Sequence, residues 1–412
     1  MKKLITLILI LFVLTANTLL SQTWVQTLNG IAMWSMCKDV QGNVYAGTSG
    51  TVKSIYKTTN AGQNWVTLIP SGVTNFLSLA VDSLGNIYAA NVSNGVMKST
   101  DGGNNWTNIP ISTFNNKNVE SVACGKNGYV YVGCISGGIF RSTDYGATFP
   151  DTALSGSTIV TLVVDKYNPN IVYAGASSTT GTNGFFMSTN SGLSFTGYYT
   201  AYSCWGVLQK TPTELYMITT TTGTPFSKST DGGYNWSTVS SQPGAMRGSS
   251  LDAAGNIYIC GNGGVFKSTN NGVSFNNTGI TTSGNQIVCV GTRMFAAMTG
   301  TTTGGVWIFN DTTLTGINLI GNITPKDFEL KQNYPNPFNP STSIEFSIPK
   351  DGFVSVKVFD IIGREIKNLV NEFLKAGKYS VRFRGDGLSS GVYYYKLNSG
   401  LVGIQKVMVL IK

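Results

Sequence analysis

The chain runs to 412 residues, enough for two domains with separate cores, and it contains no histidine. That absence excludes histidine-based triads, histidine-ligated metals and an imidazole general base. The formal net charge of +9 does not mark a nucleic-acid binder, because residues 22–320 carry 13 Lys/Arg against 11 Asp/Glu and offer no basic footprint for phosphate.

In chain order, Lys2 and Lys3 precede an apolar stretch from Leu4 to Leu14 and a small-residue site at Ser21. This is the pattern of a secretory signal peptide over residues 1–21, leaving Gln22 first. No later apolar run is long enough to span a bilayer as a helix, so no transmembrane segment is expected in the mature chain. Trp24-Val-Gln-Thr-Leu then reads as a single aromatic-led strand.

From Thr58 an octapeptide of the form Ser/Thr-Thr-Asp/Asn-x-Gly-x-x-Trp/Phe recurs six times. Its closing aromatics are Trp65, Trp106, Phe149, Phe195, Trp236 and Phe275, at steps of 39 to 46 residues. That is the period of a β-propeller blade. Between Phe76 and Trp106, FLSLAV, IYAANV and GVMKST alternate with Gly/Asn/Asp turns, which makes the octapeptide the hairpin between third and fourth strands.

Asn60, Asp101, Asp144, Asn190, Asp231 and Asn270 are expected to accept hydrogen bonds from amides just ahead of them. The shared glycine suits a positive φ. Three of the six copies carry Asn, which cannot serve as a charged ligand, so no metal and no cofactor is expected. A seventh set of strands from Gln286 to Asn310 lacks the octapeptide, and the strand at Trp24 can complete it. The expected fold is all-β, a seven-bladed propeller over residues 22–315.

Cys37, Cys124, Cys134, Cys204, Cys260 and Cys289 all sit in or beside strand-like runs. Cys124 and Cys134 share a hairpin but are offset by about 10 Å along it, too far for a bridge. Buried free thiols are expected.

The octapeptides and their spacing resemble the Asp-box, or bacterial-neuraminidase, repeat found in sialidases, xyloglucan-active glycosidases, sortilin-type receptors and photosystem assembly factors. The resemblance implies a structural turn remote from the functional face, and functions too divergent to choose among.

Residues 316–329 read as a linker. Asn333-Tyr334-Pro335-Asn336-Pro337-Phe338 opens a segment whose prolines forbid regular structure. Alternating strands then run to Leu410, as in a small immunoglobulin-like β-sandwich. NYPNPFNPSTSI, VKVFDIIGREI, LKAGKYSVRF, LSSGVYYYKL and the terminal KVMVLI resemble, in order, the type A sorting domain of the type IX secretion system. Arg382-Phe383-Arg384 departs from it slightly. The resemblance implies a Bacteroidetes-type source and engagement of the outer-membrane type IX machinery through residues 330–412. It further implies removal of that domain outside the cell, with the protein secreted or attached to the surface.

Aligning blades on their Gly-Asn-Ile-Tyr turns puts Trp34, Leu77, Glu120, Val160, Trp205 and Arg247 at one position, the start of the innermost strand. Such positions converge on the central funnel. Two Trp with Glu120 and Arg247 would suit a sugar, extended by Tyr198, Tyr199 and Tyr202. The plainer alternative makes both Trp core residues and Glu120–Arg247 a solvated pair.

A sialidase needs an arginine triad. Here Arg141 and Arg293 are expected on the wrong face. A polysaccharide-active glycoside hydrolase would have to pair Glu120 with Asp151 or Glu214. The favoured reading is a surface binding or adhesion module for a glycan or protein ligand, without catalytic residues. A purely structural surface protein is the third option.

Overall fold

A computed structural model describes residues 24–412, apart from positions 51, 53, 69–74, 178–182, 221–222, 224, 253, 291–292, 301–302, 311–317, 322–324, 351, 375 and 401. The expected signal peptide lies outside the described residues. Seven four-stranded antiparallel sheets follow one another as blades, each with its first strand innermost. The innermost strands are Met33–Lys38, Phe76–Val81, Val119–Cys124, Ile159–Val164, Gly206–Gln209, Met246–Leu251 and Gly284–Val290.

The second strands explain how the blades pack. Val44–Thr48, Ile87–Asn91, Val130–Cys134, Val172–Ala176 and Ile257–Gly261 are buried along their whole length. Each is covered on both faces, so it reads as an unbroken apolar run rather than an alternating one. A tyrosine enters five of these strands, and Tyr45, Tyr88, Tyr131, Tyr173 and Tyr258 are at most 2% exposed.

The N-terminal strand closes the ring. Val25–Asn29 pairs antiparallel with Gly305–Asn310, Val25 facing Ile308, and supplies the fourth strand of blade 7. Closure removes the exposed ladder that an open ring would present. Trp24 fastens the seam by stacking on Phe309 at 5.1 Å and donating its indole N–H to Thr278 Oγ1 at 3.0 Å.

Each octapeptide is a self-satisfied turn. Ser229 Oγ accepts from the Gly233 amide at 2.8 Å, while Asp231 Oδ1 accepts from the Asn235 amide at 3.0 Å. The other five copies repeat this pairing from serine or threonine to glycine. Gly272, at φ 85°, lies where a Cβ would press on the Phe226 ring of the preceding blade. The turns also latch neighbouring blades: the Tyr131 hydroxyl donates to Ser191 O at 3.0 Å, and Lys98 Nζ to Tyr145 O at 2.7 Å. Backbone and side-chain hydrogen bonds from Asn105 hold the Asp101 carboxyl down to about 2, and Asn235 does the same for Asp231.

All six cysteines are free thiols, and burial pushes Cys204 and Cys260 up to about 12. They pack as small apolar residues.

The remaining strands form two four-stranded sheets, packed as a sandwich around Ile344, Val356, Val381, Tyr395 and Met408. One edge strand, Asn318–Gly321, pairs with Gly377–Arg384 within the stretch that the sequence assigns to a linker. The proline-rich motif clamps the last strand, Val402–Leu410. Asn336 Oδ1 accepts from the Val409 amide at 2.8 Å, and the Phe338 amide donates to Val409 O at 2.9 Å. Asn333 is buried and bonds Thr342 Oγ1 and Pro335 O, whereas Tyr334 is 82% exposed.

Candidate functional site

Six innermost strands slip register at the same place. The slips lie between Met33 and Ser35, Phe76 and Ser78, Val119 and Ser121, Ile159 and Thr161, Met246 and Gly248, and Gly284 and Gln286. A bulge leaves one residue without a cross-strand partner and re-aims its side chain. The residues so treated are Trp34, Leu77, Glu120, Val160, Arg247 and Asn285. In blade 5, Trp205 holds the same place just ahead of Gly206, its amide bonded to Ile218 O at 2.8 Å. All seven line one axial cavity of about 270 Å³. They sit at the start of their strands, so the cavity opens on the face opposite the octapeptide turns.

Arg247 organises the cavity. Its guanidinium carbon lies 5.0 Å from the Trp34 ring centroid and 5.6 Å from that of Trp205, and its NH1 donates to Asn285 Oδ1 at 2.9 Å. Asn285 is itself buried and donates to Met33 O at 3.1 Å, which fixes the acceptor. Cation–π contact occupies a face of each indole, so the two rings act first as walls for the cation and not as open stacking platforms. The indole N–H of Trp205 is buried without a hydrogen-bond partner. Burial pushes the Glu120 carboxyl up to about 7, against the opposing pull of Arg247. A group poised there changes charge near neutral pH.

The sequence alignment placed six of these seven residues. It missed Asn285, because blade 7 has neither the octapeptide nor the Gly-Asn-Ile-Tyr turn used for alignment. The run Gly-Asn-Gln-Ile-Val-Cys-Val, read as an innermost strand, was the available signal.

Other expectations are corrected. Tyr198 and Tyr199 belong to the outermost strand of blade 4, Thr196–Tyr199, and pack against the cluster that blade 4 shares with blade 5. Tyr198 meets Tyr234 edge-on at 5.2 Å, and Tyr199 lies 6.4 Å from both Tyr202 and Trp236. None of the three lines the cavity. The carboxylates required for hydrolysis are likewise dispersed. Asp151 sits on an outer strand in an ion pair with Arg141 at 3.1 Å. Glu214 stands in a turn on the opposite face, paired with Lys228 at 3.0 Å and with the Tyr216 hydroxyl. Neither lines the cavity with Glu120. Arg293 donates to Ala61 O at 2.6 Å, latching blade 7 to the first octapeptide turn.

Residues 332–411 match the secretion system C-terminal sorting domain. The chain is therefore exported by the type IX route, to the cell surface or beyond it. No helix among the described residues is long and apolar enough to cross a membrane. No curated protein matches the chain by sequence.

Solved structures similar to it are β-propellers. YCF48 bound to D1 peptide is 15% identical with a TM-score of 0.56, over 70% of this chain and 96% of that one. YCF48 from Cyanidioschyzon merolae is 13% identical with a TM-score of 0.53, over 70% and 98%. The extracellular domain of BT4673 from B. thetaiotaomicron is 11% identical with a TM-score of 0.54, over 95% of this chain but 59% of that one. At such identities the likeness speaks for the fold.

Proposed function

We propose that the protein is a surface-delivered, non-catalytic binding or adhesion module whose ligand, a glycan or a protein segment, enters the axial cavity. The observation that carries this reading is the ring of bulges. Six blades give up regular pairing at the same position, and each aims a side chain at the axis. Such irregularities concentrate at functional sites. The walls combine indoles, Leu77 and Val160 with a few polar groups, the usual composition of a ligand pocket. The signal peptide and the sorting domain bracket this module as routing elements, the first removed after Ser21 and the second on the outside.

The test is a glycan array and a surface-protein screen on the full-length chain, with Trp34→Ala/Trp205→Ala alongside. Selective binding that the double variant loses while keeping its thermal midpoint supports the reading. A ligand bound equally well by the variant would move the site elsewhere. Turnover of a polysaccharide that Glu120→Gln abolishes would convert the module into an enzyme.

A further inference from the structure

We propose that Arg247 is the anion-recognition point of the axial cavity and that the group it takes is a carboxylate on a narrow, partly apolar ligand. The inference deepens the binding reading above and rests on it.

Among the described residues Arg247 forms no ion pair, although it stands half-buried in the wall of the cavity. A half-buried cation of this kind gains from an anion brought into contact with it. Its position is nonetheless built. Two indoles flank it and Asn285 anchors one amino group, which leaves other N–H donors free on the planar fork. A guanidinium held in plane suits a carboxylate, which it can bind through two parallel hydrogen bonds.

The Trp205 ring flanks the guanidinium, and its buried N–H has no partner. Leu77 and Val160 complete the wall and favour a carboxylate carried on an apolar stem.

Glu120 is the competing internal anion. It and Arg247 are the titratable groups lining the cavity among the described residues. Its carboxyl stays largely protonated below about 7 because of burial, so it leaves the cation available to an outside anion there.

The experiment is calorimetric titration of the full-length protein at pH 6 and pH 8 with four probes. N-acetyl-leucine and glucuronic acid carry the carboxylate on an apolar and a sugar stem; N-acetyl-leucinamide and glucose are their uncharged counterparts. The expected result is that an acid binds at least about tenfold more tightly than its counterpart, the scale of a charged hydrogen bond. Arg247→Gln should abolish the difference. Binding should fall from pH 6 to pH 8 in the wild type and not in Glu120→Gln. That last variant keeps the test valid if Arg247→Gln fails to fold.

The stronger of the two acids names the source of the carboxylate. Equal binding of acids and neutral probes overturns the carboxylate while leaving a ligand cavity. Binding of neither acid, with an array ligand still displaced by Trp34→Ala/Trp205→Ala, also overturns it. Loss of all cavity-dependent binding would sink the binding module as well.

Discussion

At the scale of single residues, Glu120 carries a desolvation penalty that unfolding at two pH values can test. Its carboxyl is raised from an ordinary 4.5 to about 7 by burial. Between those values the native state binds more protons than the unfolded chain, so this contribution is complete below 4.5 and fades as pH rises through about 7. Glu120→Gln should therefore leave stability near pH 4 unchanged and raise it at pH 8, by on the order of 2 kcal/mol. Thermal unfolding at both values checks this; equal shifts would show that burial does not tax the charge. The position of Glu120 was legible because equivalent residues of a ring converge, whatever their chemistry. The partnership of Arg247 with both indoles was not, since it joins side chains from blades 1, 5 and 6 across the axis, and their directions are not written in the sequence. Tyr198 and Tyr199 misled for a related reason. Their spacing suits a loop platform, but blade 4's outermost strand extends to Tyr199 and turns both rings toward the next blade.

At the scale of elements, the octapeptide turn is the most local device in the chain and the most readable. Its hydrogen bonds span two to four residues, so sequence alone determines its partners. Ser229→Ala removes the oxygen that satisfies the buried Gly233 amide and should cost about 1–2 kcal/mol. Gly272→Ala should cost more, because it meets both a positive φ and the Phe226 ring. Denaturant titration of both variants gives the ranking, and a reversed order would place the function of the turn in its latch and not its backbone. The sorting domain shows the opposite situation. Asn318–Gly321 pairs with a strand roughly sixty residues away, and its four residues carry no alternation to announce it. The clamp of Asn336 on Val409 is equally non-local. Asn336→Ala strips the edge of that last strand of one partner, and should raise amide exchange at Val409 and weaken export. Unchanged exchange with lost export would instead make Asn336 a recognition residue.

At the scale of the whole molecule, the ring is closed by the strand that precedes blade 1. Removing residues 24–29 exposes the Gly305–Asn310 ladder and frees Phe309 from Trp24. The expected outcome is oligomerisation or precipitation in sizing chromatography; a soluble monomer with native unfolding behaviour would show that six and three-quarter blades suffice. Closure also sets the cavity, because a change in blade number would alter how many bulges meet on the axis. The most direct measurement is a titration of the full-length protein, labelled on its indole nitrogens, with the ligand that the array selects. The chain has seven tryptophans, and two of them, Trp34 and Trp205, face the cavity. Their indole resonances should shift on binding, while Trp65, Trp106 and Trp236 in the octapeptide turns stay in place. Movement of the turn tryptophans with Trp34 and Trp205 unchanged would contradict an axial site.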